Sequence, residues 1–156
     1  MAILLYGTEV WGLFHCDELE GIHCMTMKNL LRLPINTSGY IVRLETGTNS
    51  LVIDIMQRTY GWWSKLQSLP DSRYPKMCYN KLNEMIKKKD KISRSNWANV
   101  LRERLFVAEL GHIWDSGSTE VAKNCTEEVL AHILAIHRNI DRERLLTSTI
   151  AAGIIG

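Results

Sequence analysis

The sequence predicts an all-α protein, an irregular bundle of about six to eight helices. Apolar residues recur every three or four positions through most of the chain. The prolines, together with Gly47, Gly111 and Gly117, fall between those stretches, where helices stop. Sustained alternation and the Asn-Gly hairpin signal are both missing, so nothing argues for strands. With 156 residues, 46% hydrophobic and 23% charged, the chain is long enough to bury a core and has the composition of a globular domain. Its apolar runs fall well short of the roughly 20 residues of a membrane span, so no membrane partner is expected.

The first helix is expected over 2–13. Its run Ala2-Ile3-Leu4-Leu5-Tyr6-Gly7-Thr8-Glu9-Val10-Trp11 is largely apolar from the second residue, without the Ser, Thr, Asp or Asn that ordinarily leads into a helix. Chain ends are usually polar, so the run suggests a piece of a longer protein. It also offers a surface for self-association or for another protein. It carries Glu9 and has no basic leader, unlike a secretory signal. An intracellular chain, in nucleus or cytoplasm, with Cys16, Cys24, Cys78 and Cys125 as reduced thiols is therefore expected.

A second helix is expected over 17–33, with Leu19, Ile22, Met25 or Thr26, Asn29 or Leu30, and Leu33 as its apolar stripe. Pro34 ends it, because the residue before a proline avoids helical geometry. A short helix over 38–46 follows, with Gly47 placed for a left-handed cap. The stretch 50–67 carries Leu51, Ile55, Met56, Tyr60, Trp62, Trp63 and Leu66 on a wide apolar face. Two prolines and several turn formers in 69–75 mark a linker at 70–75, separating helical regions 1–69 and 76–156. Pro75 suits the first turn of a helix to about Lys89. Ser95 or Asn96 can cap the next, with Trp97, Leu101, Leu105 and Ala108 on one side and Gly111 as its stop. After a break at Gly117-Ser118-Thr119, the residues Val121, Cys125, Val129, Ile133, Ile136 and Ile140 form the last stripe.

Nucleophile, P-loop, zincin and dinucleotide motifs are absent, and neither a cofactor nor a catalytic residue is expected. His15-Cys16 and His23-Cys24 supply good zinc ligands. On one helix, however, they stand two turns apart, about 11 Å at 1.5 Å per residue, too far for one tetrahedral ion. His132 and His137, five residues apart, face different ways. The acids Asp17, Glu18 and Glu20, and the pair Glu127-Glu128, lie early in helices, where carboxylates oppose the positive end of the dipole.

Charge is the more informative pattern. The formal net charge is only +2, yet residues 54–104 hold 12 basic and 5 acidic side chains, between flanks of −2 and −3. The centre of this segment is Lys87-Lys88-Lys89-Asp90-Lys91 with Arg94. Lys65, Arg73, Lys76, Lys81, Arg102 and Arg104 lie around it. Clustered cations neutralise phosphates and release counterions, so Lys76, Lys81, Lys87, Lys88, Lys89, Lys91 and Arg94 are the candidate nucleic-acid contacts. Trp62, Trp63, Tyr74, Tyr79 and Trp97 are candidate stacking partners for unpaired bases. A short lysine run is more often a solvated helix end, and tryptophans at helical spacing are more often core.

Several segments, taken in order, resemble one family. Leu4-Leu5-Tyr6-Gly7-Thr8-Glu9-Val10-Trp11 is similar to the Leu-Tyr-Gly-Ser-Glu-x-Trp signature that follows the palm in non-LTR (LINE-type, jockey-like) retrotransposon reverse transcriptases. Met27-Lys28-Asn29-Leu30-Leu31-Arg32-Leu33-Pro34 resembles its Lys-x-Leu-Leu-x-x-Pro stretch. Tyr40 to Gly47 resembles its Ala-Val-x-x-Glu-Leu-Gly, with Thr46 in place of the usual leucine. Asn49-Ser50-Leu51-Val52-Ile53 resembles its Pro-Leu-x-Ile, with Asn49-Ser50 where a proline is usual. Trp63 to Leu66, Leu69 to Tyr79, and Asn96 to Trp114 fit as well, so the likeness covers roughly 2–114. It fades beyond 120, and the apolar tail Thr149–Gly156 does not fit.

The resemblance implies a thumb-and-beyond segment, with 1–69 thumb-like. In such polymerases a helical thumb grips the primer–template duplex, while the metal-binding aspartates belong to the palm. No aromatic-x-Asp-Asp stands in this chain. What the resemblance implies is therefore a non-catalytic fragment with RNA or DNA as its partner. The alternative is a helical protein-interaction module or a functionless transposon remnant.

Overall fold

The computed structural model describes residues 4–88 and 96–151. Among them there are nine α-helices and no strand. The helices are α1 (Thr8–Trp11), α2 (Cys16–Leu31), α3 (Gly39–Thr46), α4 (Leu51–Gln67), α5 (Tyr74–Lys87), α6 (Trp97–Val107), α7 (Gly111–Asp115), α8 (Thr119–Asn124) and α9 (Thr126–Ala151). The helical class is as the periodicity predicts. The count exceeds eight because α1, α7 and α8 are pieces of one or two turns. No helix among the described residues is long and apolar enough to cross a membrane.

Helix α4 is the hub. Ser50 caps it, its hydroxyl accepting the Val52 N–H at 3.4 Å. Leu51, Ile55, Met56, Tyr60, Trp63 and Leu66 are essentially fully buried, as their spacing predicts, while Trp62 is half-buried. Around α4 pack α1, α2, α5, α6, α8 and α9.

The expected helix over 2–13 is broken. Gly7 adopts a left-handed conformation (φ 73°), so only four helical residues follow it before a 3-10 turn at Gly12–Phe14. This compact entry turns Leu5, Thr8, Gly12 and Leu13 inward. Gly12 sits so close to α4 that an added Cβ would lie 2.7 Å from Thr8 Cβ and 2.9 Å from Ile55 Cγ2. Gly12→Ala is therefore expected to destabilise the fold by about 1–3 kcal/mol through overpacking. An unchanged urea midpoint would show that α1 does not pack on α4 as described.

Helix α2 turns a different face inward from the one its apolar residues predict. Cys16, Leu19, His23 and Cys24 are buried, whereas Ile22, Met25 and Leu30 are exposed. Gly39 of α3 comes close to this face, since a Cβ on it would lie 2.9 Å from the Cys24 sulfur. Arg32 closes α2 in the left-handed region (φ 53°), with the Leu33 N–H bonded back to Lys28 O at 2.9 Å, before Pro34 is reached.

The division into regions 1–69 and 76–156 does not extend to the core. One cluster of buried side chains runs from Leu5 to Ile133. Residues 70–73 form a tight turn, with Arg73 N–H bonded to Pro70 O at 3.0 Å, that folds α5 back against α4, and the last two residues of the expected linker, Tyr74 and Pro75, already belong to α5. Side chains from α4, α5, α6 and α7 build one aromatic stack. Trp63 and Trp114 lie parallel with centroids 5.1 Å apart, and Tyr60, Tyr79 and Trp97 pack around them.

Asn96 caps α6, accepting the Ala98 N–H at 2.9 Å, and the other capping candidate, Ser95, lies outside the described residues. Trp97, Leu101, Leu105 and Ala108 face the core as expected. Gly111 is not the stop. Glu109 takes the left-handed position (φ 61°), the Leu110 N–H bonds to Leu105 O at 2.8 Å, and Gly111 opens α7. Its glycine is required by contact, since a Cβ would lie 2.8 Å from the Phe106 ring. The last stripe divides at Cys125 between α8 and α9. Val129 and Ile133 are buried, and Ile140 is partly exposed.

Candidate nucleic-acid interface

Helix α5 carries the basic segment. Its inner face is fixed by Tyr79, buried with Leu82 and Ile86 against the core. The opposite face leaves Lys81, Lys87 and Lys88 exposed over its last two turns. Lys81 Nζ lies 3.1 Å from Glu84 Oε2, and both side chains are open to water. That hydrogen bond, then the Lys81 charge, holds the Glu84 carboxyl below its ordinary range, with Lys88 and Lys87 adding to the effect. Exposed pairs of this kind are weak, so Glu84 holds Lys81 only loosely. Lys89, Lys91 and Arg94 lie outside the described residues.

Lys76 is placed differently. It is buried, its ammonium sits 5.5 Å from the Tyr79 ring centroid, and it donates to Gln67 Oε1 at 3.4 Å. Gln67 Nε2 and Trp63 Nε1 in turn each donate to Tyr79 Oη at 3.0 Å. Burial pushes the Tyr79 phenol up, and these two donors pull it back. Lys76 thus closes a polar chain along the inner side of α5.

The neighbouring cations differ in the same way. Lys65 and Arg73 are exposed. Arg102 lies over the Phe106 ring at 4.6 Å, and Arg104 donates to Leu13 O at 3.3 Å and to the Cys16 sulfur at 3.5 Å. Of the five candidate stacking aromatics, Trp63, Tyr79 and Trp97 are buried in the core and Trp62 is half-buried. Tyr74 alone among them is open, at 83% exposure.

A second polar centre was not expected from the sequence. Glu20, read as a helix-end charge, instead reaches across from α2. One of its oxygens accepts from Arg43 Nη1 at 2.6 Å, and the other accepts from Ser50 Oγ at 3.0 Å and the Leu51 N–H at 2.6 Å. Arg43 grips Asp141 of α9 with two parallel bonds, Nε to Oδ2 at 2.8 Å and Nη2 to Oδ1 at 2.5 Å. The bonds to Asp141 hold Arg43 above its ordinary value despite burial. Asp17, Glu18, Glu127 and Glu128 do lie in first turns, as expected. Asp141 did leave a signal: Ile133, His137 and Asp141 are four apart and share one helix face.

Beside this centre a cleft of about 210 Å³ opens between the α3–α4 connection and α9, lined on its polar side by the acid Asp141 together with Arg43, Asn49, His137, Arg138 and Arg142. Burial, then the Arg104 charge, pushes His137 below the ordinary imidazole value, so the ring is neutral at pH 7. A more apolar groove of about 370 Å³ lies on the other side of His137, between α4, α6 and α9.

The cysteines are free thiols. Cys16 and Cys24 are buried, and burial raises both above the ordinary thiol value. Among the described residues no group of three or more His, Cys, Asp or Glu side chains is placed to hold a metal ion. The segment around α1 presents apolar surface, through Tyr6 at 85% exposure and the partly exposed Val10, Trp11 and Phe14. Compared with family models, with curated proteins and with solved structures, the chain finds no match.

Proposed function

We propose that this chain is a non-catalytic, post-palm helical segment of a non-LTR retrotransposon reverse transcriptase that contacts the nucleic-acid backbone through the basic end of α5. The observation that carries the contact is the placement of Lys81, Lys87 and Lys88. All three stand exposed on the outer turns of one helix, leading directly into the basic stretch that holds Lys89, Lys91 and Arg94. Mobile lysines on a solvated helix act as point charges toward phosphates and carry no base readout. Binding of this kind is strong only at low salt and nearly indifferent to sequence. Exposed Tyr74, at the other end of α5, adds one aromatic face for an unpaired base.

The ordered likeness of 2–114 to the post-palm region supports the family reading, as does the helical class. The lack of an Asp-Asp pair supports the absence of polymerase chemistry, which needs carboxylates converging on two metal ions.

Titration of a labelled single-stranded RNA by fluorescence anisotropy tests the contact. Changing Lys87, Lys88 and Lys89 together to alanine should weaken binding and flatten the salt dependence by about 2 log units per log unit of salt, at roughly 0.7 per phosphate. A triple variant that binds as the parent does would sink the proposal.

A further inference from the structure

The cleft between the α3–α4 connection and α9 has the make-up of an anion pocket. Its floor is the buried Glu20–Arg43–Asp141 centre, in which both carboxylates are already committed. Asp141 accepts twice from Arg43, and Glu20 accepts from Arg43, Ser50 and the Leu51 N–H. The centre keeps one net negative charge, with Asp141 itself in the lining, and two further cations outweigh it. Those are Arg138 and Arg142, one helical turn apart on α9 and therefore on one face. Both are exposed at the rim of the cleft.

Arg138 Nη2 reaches across to Asn49 Oδ1 at 3.3 Å, so its guanidinium is already drawn over the opening. Thr48 and Asn49 add a hydroxyl and an amide to the lining, and His137 adds a neutral imidazole. With Glu20 included, the charged groups here sum to one net positive charge.

We propose that this cleft binds a phosphate-class oxyanion, held between the guanidinium forks of Arg138 and Arg142. Guanidinium forks match tetrahedral oxyanions with paired N–H donors. The cavity, at about 210 Å³, is below the roughly 300 Å³ at which pockets for drug-sized ligands begin, and it suits one small group. The site is separate from the lysines of α5. It lies at the Ser50–Ile53 end of α4, whereas α5 packs on the Trp63–Gln67 end. No residue of α5 lines the cleft.

Calorimetric titration with inorganic phosphate, at ionic strength held constant with chloride, tests the site. The parent chain should bind one phosphate, and the double variant Arg138→Gln, Arg142→Gln should lose at least tenfold in affinity. Both changes are on exposed side chains, so an unchanged circular-dichroism melt should accompany the loss. The Lys87, Lys88, Lys89 triple-alanine variant should bind phosphate as the parent does, whether or not α5 contacts nucleic acid.

The RNA titration on the double variant then separates the sources of the phosphate. Unchanged RNA affinity assigns the pocket to a free phosphate or phosphomonoester, and weakened RNA affinity assigns it to a backbone phosphate. Phosphate binding no stronger than chloride, or unchanged in the double variant, overturns the proposal.

Discussion

Replacing Arg43 with alanine is expected to remove about 3–5 kcal/mol of folding stability, the usual result of breaking a buried charge pair from one side. Arg43 is flanked by two carboxylates, and the three side chains keep only 10%, 17% and 12% of their surface in water for Arg43, Glu20 and Asp141. Without the guanidinium, two acids face each other's field with their hydration largely gone. The loss also loosens four elements at once, because the triad ties α2, α3, the start of α4 and α9 together.

For a chain of this size a loss of that order lowers the melting temperature by roughly 6–20 °C. Arg43→Lys should recover little of it, since an ammonium cannot reproduce the two parallel bonds to Asp141. Asp141→Asn should cost less than Arg43→Ala, because it leaves a carbonyl oxygen to accept one bond. Urea denaturation of these variants, beside the exposed control Lys123→Ala, measures the effect. A cost below about 1 kcal/mol for Arg43→Ala would mean the triad is as open to water as a surface pair.

Trp63→Ala is expected to cost about 3–5 kcal/mol, the range for deleting a large buried aromatic. Trp63 is 1% exposed. It stacks on Trp114, touches Tyr60 and donates to Tyr79 Oη, so its removal empties the centre of the aromatic stack and leaves the phenol with Gln67 as its remaining donor. Trp63→Phe should cost less, because it refills part of the volume and loses only the N–H.

The same variant reports on the continuity of the core. Trp63 precedes the turn at 70–73, while Tyr79, Trp97 and Trp114 follow it. If the core is continuous across that turn, unfolding followed by tryptophan fluorescence and by far-ultraviolet circular dichroism gives one coincident transition, shifted as a whole in the variant. Two transitions, with only one of them moved, would restore the boundary.

Much of this fold is legible in the sequence where the buried face is purely apolar. Helix α6 turned Trp97, Leu101, Leu105 and Ala108 inward as their spacing requires, and α4 buried the residues its periodicity marks apart from the half-buried Trp62. Helix α2 shows where that reasoning fails. Its core face is Cys16, Leu19, His23 and Cys24, of which His23 is polar and the two cysteines are small. The larger Ile22, Met25 and Leu30 pointed to the wrong side.

The Glu20–Arg43–Asp141 centre was hidden for a different reason. Its members stand far apart in sequence, and each alone looks like an ordinary surface charge. The basic segment, by contrast, was fully visible as charge. What only the fold reveals is that Lys76 is turned inward beneath Tyr79, and that three of the five aromatics are core. That narrows the described part of the candidate interface to Lys81, Lys87, Lys88 and Tyr74.

A basic segment that meets nucleic acid as a phosphate-neutralising surface must bind it in a salt-dependent way. The most direct test is the affinity of the unmodified chain for a single-stranded RNA across 50–200 mM salt. Six cations (Lys81, Lys87, Lys88, Lys89, Lys91 and Arg94) acting on phosphates give a log–log slope of about −4. A slope near zero, with affinity unchanged across that range, would contradict it.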